Sequence, residues 1–437
     1  MKTLIKLFTV SVLLTVFFLS PAVAQVSQNR EMQYFKPSDK RGLNVFETTK
    51  DNSIGFTKLK VILGGSSTLQ YQGINHSNSA LFFDNGSGVN VNELKELGSN
   101  FNLATANFDL DIQLHNGLRM HLRTYLSSRH HHEPYVKSGY LQVDRLDFVR
   151  EGFLDNVMDM ITLKIGHMEN NYGDAHFRRS DNAMSLHNPF IGNYIMDSFT
   201  TEVGAEAYLK KNGFIGMLGF SNGKLNQDVE NPGATDLAFI GKLGFDKQTN
   251  PDLRVRLTGS IYSIGKAKSI YLYSADRAGS RYYSVMKGIT ATSDNFRSGR
   301  WNPNFSDKLT AIMINPFIKY KGLEFFGTFE NSEGGDFKNS SETRTWNHVA
   351  GEVIYRFGNF EQWYGGIRYN SASGKLANAD PNEVSIDRIQ MTFGWFLTDN
   401  VVAKIEYVNQ SYNDFAKNSI YSEGNFKGFL AEAAIGF

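Results

Sequence analysis

Apolar and polar residues alternate along most of this chain. Between 104 and 114, Ala104, Ala106, Phe108, Leu110, Ile112 and Leu114 are interleaved with Thr105, Asn107, Asp109, Asp111 and Gln113. After Asn116-Gly117 the returning stretch sets Leu118, Met120, Leu122 and Leu126 against Arg119, His121, Arg123 and Tyr125. A period of two puts successive side chains on opposite faces of a strand, and Asn-Gly accepts the positive φ of a tight hairpin. One face of this hairpin is greasy and the other ionic. The rule recurs at 253–257, 388–395 and 403–407. It predicts sixteen strand cores: 57–71, 104–114, 118–128, 140–148, 160–167, 200–209, 214–221, 237–245, 253–265, 309–320, 323–331, 348–357, 360–370, 385–397, 401–410 and 426–437.

A soluble sandwich also alternates, so the spacing of the strands must choose the solvent. Even-to-odd connections are short, at 115–117, 210–213, 321–322, 358–359 and 398–400, whereas odd-to-even ones run much longer. Brief turns at one end and long loops at the other are the signature of a closed antiparallel transmembrane β-barrel, with the turns periplasmic and the loops extracellular. Hydrocarbon offers no partner to a free sheet edge, which is why such a sheet must close. Segments 270–273 and 281–286 flank a further turn and would raise the count to eighteen, but their outward faces are too polar and they are read as an extracellular excursion. Either count leaves an aqueous lumen.

Ahead of the barrel, Lys2 and Lys6, the apolar run 7–19 and Ala22-Val23-Ala24 form the three-part pattern of a cleaved secretory signal. The expected organisation is 1–24 signal peptide, 25–56 periplasmic N-terminal segment and 57–437 barrel. No later segment offers the roughly 18 apolar residues of a spanning helix. The expected location is the bacterial outer membrane.

Composition agrees and narrows the field. The 437 residues include 34 Phe, 20 Tyr, 40 Gly, 9 Pro and no Cys, which suits many strands joined by Gly turns and excludes disulfide scaffolds and thiolate metal sites. Lys and Arg number 45 against 44 Asp and Glu, so no global basic surplus points to nucleic acid. The inward basic candidates are Arg119, Arg123, Lys164, Arg254, Arg256, Arg356, Arg368, Arg388 and Lys404, and the inward acids include Asp109, Asp111, Glu202 and Glu206. Such groups solvate a wet lumen, and they select ions where a constriction brings them together. The 168–199 connection is the expected constriction loop, carrying Arg178, Arg179 and Asp181; the 265–308 connection has eight Lys or Arg against three Asp and would favour anions at the mouth.

The last strand sets Phe429, Ala431, Ala433, Ile435 and Phe437 on one face. It resembles the last strand of bacterial outer-membrane barrels, and the resemblance implies recognition of Phe437 by the barrel-assembly machinery. Leu163-Lys164-Ile165-Gly166 followed by Asn171-Tyr172-Gly173, with sixteen strands and basic inner positions, resembles the phosphate-selective porin O/P type. That resemblance implies a passive, trimeric channel for small hydrophilic solutes, anions among them, narrowed by its third and fifth loops. His167-Met168-Glu169 stands where that family has a Gly-Gln-Phe-Lys-like sequence, so no phosphate ligands are carried over.

Enzymatic and metal chemistry find weaker footing. His76-Ser77-Asn78 is similar to the His-x-Ser-Asn-Gly element of barrel phospholipases, but the spacing is off by one, and on a strand His76 and Ser77 point to opposite faces. His130-His131-His132-Glu133 reads as a solvated loop cluster, and His167, His176 and His187 match no compact ligand spacing. No cofactor and no metal are expected. The sequence reads as a passive outer-membrane porin, with a structural or docking barrel of a larger envelope assembly as the alternative.

Overall fold

The alternating segments pair in sequence until the last meets the first. The computed structural model describes residues 31–50, 54–84, 86–102, 105–127, 135–179, 184–225, 229, 233–274, 281–292, 297–336 and 342–437. Its strands are β1 (Lys60–Ser77), β2 (Asn100–Asn102), β3 (Thr105–His115), β4 (Leu118–Ser127), β5 (Tyr135–Val143), β6 (Ile161–Glu169), β7 (Thr201–Lys211), β8 (Phe214–Ser221) and β9 (Ala238–Asn250). They continue as β10 (Leu253–Ile264), β11 (Ser306–Tyr320), β12 (Leu323–Gly335), β13 (Thr343–Phe357), β14 (Trp363–Gly374), β15 (Val384–Thr398), β16 (Val401–Asn413) and β17 (Asn425–Gly436). Every neighbouring pair is antiparallel, β1 joins both β3 and β17, and the three-residue β2 prolongs the β1–β3 ladder. The ring therefore has sixteen strands and one short extra. Gly65 N–H donates to Phe437 O at 2.9 Å and Phe437 N–H to Gly65 O at 3.0 Å, carrying the closing seam to the last residue.

Residues 270–273 and 281–286 form no strands, which settles the count at sixteen. They are also not an outward excursion: Leu272, Tyr273, Tyr282, Tyr283, Val285 and Met286 are buried. One connection departs from the short-turn rule. The core expected at 140–148 lies higher, at Tyr135–Val143, because the backbone leaves the sheet where Asp144 and Arg145 N–H both donate to Gly117 O. Residues 144–160 then make a longer excursion with one short helix, α1 (Asp155–Met158), and expose Phe148, Val149, Leu154 and Val157.

Outward positions form an apolar belt that includes Phe108, Ile165, Leu218, Leu243, Leu257, Ile312, Ile314, Phe329, Val353, Ile367, Phe393 and Ile405, all exposed. At the short-turn end Tyr320, Tyr355, Phe357 and Trp395 are exposed, and Trp363 stacks on Trp395 with ring centroids 4.7 Å apart. An apolar band ending in aromatics is the surface a bilayer selects. Among the described residues no helix is long and apolar enough to cross a membrane. Ile314→Arg, midway along β11, is expected to cost about 2–4 kcal/mol in urea unfolding from lipid vesicles. A cost near zero would mean that this face does not meet hydrocarbon.

Candidate functional site

Every inward acid and base named from the register faces the interior, and most are almost fully buried. Asp109 takes the Arg123 guanidinium at 2.7 Å and Asp111 takes Arg119 at 2.8 Å, so the hairpin pairs its charges across neighbouring strands. Arg356 meets Glu324 at 2.7 Å, Arg368 meets Glu352 at 2.7 Å, and Lys404 meets Glu432 at 2.8 Å. Glu202 accepts from Asn170, Ser221 and Tyr262, and Glu206 from Asn171 N–H and Tyr208.

What these groups face is largely protein. Three segments fold into the barrel. The first, residues 32–50, runs across the short-turn end as a strap. Gln33 holds the β3–β4 turn through Asn116 Oδ1 and Gly117 N–H, both at 2.9 Å. Gly117, at φ +63°, has Arg145 where a Cβ would stand, so this turn tolerates only glycine. Across the ring, Lys40 N–H donates to Asp399 O at 2.8 Å and Asn44 to Glu324 at 2.7 Å. Glu47 lies 2.8 Å from Arg256 and 3.3 Å from Lys242, and Lys50 lies 2.9 Å from Asp144. Burial works against the Glu47 carboxylate, but the flanking Arg256 and Lys242 hold it well below the usual carboxylate range. Residues 32–50, within the segment expected to be periplasmic, are thus tied to the wall at several points around the ring.

The second inward segment is the 170–200 connection. Asp174 anchors it, accepting from Arg256 at 2.7 Å, Lys242 at 3.0 Å and Thr258 at 2.7 Å. Gly173, at φ +67°, lets the backbone pass Met313, whose sulfur a Cβ would strike, and gives its carbonyl to Lys242 at 2.7 Å. Arg178 reaches Glu352 at 2.7 Å and Arg179 reaches Asp197 at 2.7 Å; Asp181 lies outside the described residues. Both arginines are therefore committed to ion pairs inside the fill. Further along, Glu406 accepts from Ile191 and Gly192 N–H, and Arg368 donates to Gly192 O.

The 265–305 connection is the third. Tyr273 donates to Glu330 and Tyr282 to Glu406, each at 2.7 Å, while Arg281 sits 3.3 Å from Glu432 and Arg300 lies 3.1 Å from Asp197. Of its expected basic surplus, these two arginines are drawn inward, and Arg277 lies outside the described residues. Arg388 ties the two loops together by donating to the carbonyls of Asn193 and Gly299. Ile191, Ile195, Met196, Leu272, Tyr282 and Val285 then pack with wall residues Leu309, Met313, Trp346, Ile386 and Phe426 into an apolar core inside the barrel. The lumen expected to be aqueous is thus in large part filled by the loops' own apolar side chains.

Among the described residues the segments leave a cavity of 150 Å³ against the wall from β3 to β7. Phe35, Lys36, Phe46, Glu47 and Thr48 of the strap bound it below, and His176, Phe177, His187 and Phe199 of the 170–200 loop bound it on the other side. Asp109, Asp111, Arg119, His121, Arg123, Lys137, Ser138, Tyr140, Lys164, Glu169, Tyr208 and Lys210 are among the remaining lining residues. The four acids have cationic or imidazole partners, Glu169 through His176 at 3.0 Å. Among the described residues Lys36, Lys164 and Lys210 have no carboxylate within 4 Å. Lys164 instead sits over the Tyr140 and Tyr208 rings, 5.3 Å from each centroid, and Lys36 over Phe177. Burial brings the Lys36 ammonium down to about 7 against the pull of Glu169 and Glu47. Burial, with Lys36 nearby, lowers His187 to about 3.

Of the expected pore residues, Asp109, Asp111, Arg119, Arg123 and Lys164 meet at this cavity. Arg254, Arg256, Arg356, Arg368, Arg388, Lys404, Glu202 and Glu206 lie away from it and hold the strap or the loops. Lys36, Glu47, Asp174 and Lys210 were missed. Aromatic Tyr34, Phe35 and Phe46 ahead of the barrel were the available signal. His76 is spent on Lys95 O and Met286 N–H, so it serves no Ser77. The triple histidine lies outside the described residues.

No family model matches the chain, and no curated protein is similar to it in sequence. Solved structures are similar in fold. An anion-selective porin from Comamonas acidovorans aligns at TM-score 0.52 and 10% identity, over 87% of this chain and 100% of that one. The outer membrane channel DcaP of Acinetobacter baumannii aligns at 0.51 and 10%, over 87% and 98%. OmpT, an outer membrane protein of Vibrio cholerae in a trimer form, aligns at 0.50 and 11%, over 87% and 100%. The chain thus has the fold of outer-membrane porins.

Proposed function

We propose that the protein is a passive porin of the bacterial outer membrane, admitting small hydrophilic solutes with a weak preference for anions. The observation that carries this is the cavity beside β3–β7, where three lysines stand without carboxylate partners in an interior whose other charges are largely paired. A conducting path on this side would bring solutes past Lys164 and beneath the strap. The phosphate-selective likeness extends to Lys164 on the cavity wall, and Arg178 and Arg179 act by shaping the loop. A homotrimer belongs to the same proposal, supported by the trimer form of OmpT, which shares the fold.

Planar-bilayer recording across a salt gradient tests it. Ohmic steps with a reversal potential displaced toward the anion are expected, and Lys164→Glu is expected to move that potential toward the cation. Silent bilayers would favour the structural or docking role, which draws support from the packing of the strap and loops.

A further inference from the structure

We propose that the β3–β7 cavity is a binding site for a ring-sized organic monocarboxylate, an aromatic acid of benzoate's dimensions. The proposal deepens the porin function and rests on it for the route by which the solute arrives. Size comes first. A cavity of 150 Å³ is the volume at which a protein interior takes up benzene. The walls suit a ring, since Phe35, Tyr140, Phe177, Phe199 and Tyr208 face it from the strap, the wall and the loop.

Charge then decides the polar end. Asp109, Asp111 and Glu47 are paired to cations, and Lys164 and Lys210, with no carboxylate within 4 Å, give the cavity a positive bias that repels cations and gives a neutral ring no reason to orient. Two further groups ask for a partner: Arg119 Nε and Ser138 Oγ are buried with no hydrogen-bond partner in the protein, although Arg119 is only 5% and Ser138 6% exposed. A carboxylate satisfies ammonium, guanidinium and hydroxyl donors together through charge-assisted hydrogen bonds. Inorganic phosphate could meet the same donors, but it leaves the aromatic walls uncovered and pays the desolvation of a larger charge.

Calorimetry on the full chain in detergent micelles, with benzoate as the probe, tests this. Saturable binding is expected, with benzyl alcohol and inorganic phosphate each at least about tenfold weaker, because each meets only half of the site. Lys164→Gln is expected to weaken benzoate about tenfold and Lys164→Arg to restore most of it, both variants keeping the wild-type unfolding midpoint. In bilayers benzoate should reduce the chloride current as its concentration rises. A protein that conducts chloride but shows no saturable benzoate heat would overturn the site and leave the porin function standing. Phosphate or benzyl alcohol binding as tightly as benzoate would overturn it too. Benzoate binding to a protein that never conducts would uphold the site and remove the porin function.

Discussion

Deletion of residues 32–50 is expected to raise single-channel conductance severalfold while the barrel still folds. Sixteen strands enclose a lumen wide enough for water and solutes, and the strap crosses that lumen at its short-turn end. Its anchors are spaced around the rim, at Asn116, Asp144, Arg256, Glu324 and Asp399. The wall does not depend on them, because each of the sixteen ring strands is paired on both sides without the strap. Planar-bilayer steps and the heat-dependent gel mobility of the folded barrel are the two measurements. A milder variant, Glu47→Gln with Lys50→Gln, loosens the strap without removing it and should give flickering steps of intermediate size. Steps identical to wild type in the deletion would show that ions do not pass beneath the strap.

Asp174→Ala is expected to cost on the order of 3 kcal/mol and to release the loop that fills the lumen. Its carboxylate has no measurable solvent exposure and receives Arg256, Lys242 and Thr258 at once. Burial raises the cost of its charge, but Arg256 and Lys242 more than offset this and hold it below the usual carboxylate range. Truncation leaves two buried cations sharing Glu47, with Asp246 3.1 Å from Arg256, and the penalty comes from those cations more than from the lost bonds. Urea unfolding in vesicles reads the stability, and bilayer noise reads the loop. Asp174→Asn, which keeps one of the two acceptor oxygens and loses the charge, should fall between. An unaltered midpoint in both variants would mean that the cluster relaxes around the loss.

The wall was legible because lipid and a two-residue period leave little choice. Phe108 and Asp109 cannot exchange faces without moving the whole hairpin by one residue. That register sets Asp109 directly opposite Arg123 and Asp111 diagonal to Arg119, which they pair with. The interior was not legible, for a different reason. Ile191, Ile195 and Tyr282 sit in connections with no period, and nothing local distinguishes an apolar residue that packs inside a barrel from one in a loop above it. Lys36 and Glu47 were hidden because their partners lie in the middle of the chain, Glu47 meeting Arg256 and Lys242. The cavity is a remainder, defined by what those segments leave unfilled, and a remainder has no motif.

The strap precedes β1 in the chain, yet Lys40 binds Asp399 and Asn44 binds Glu324. These docking points exist together only once the last strands have joined the first. Biogenesis therefore runs against the order of the sequence: residues made early wait longest for their places, and the stopper is seated after the vessel is sealed. Loop-closure entropy over hundreds of residues disfavours those far contacts until the wall is in place, so the strap is expected to complete its seating late.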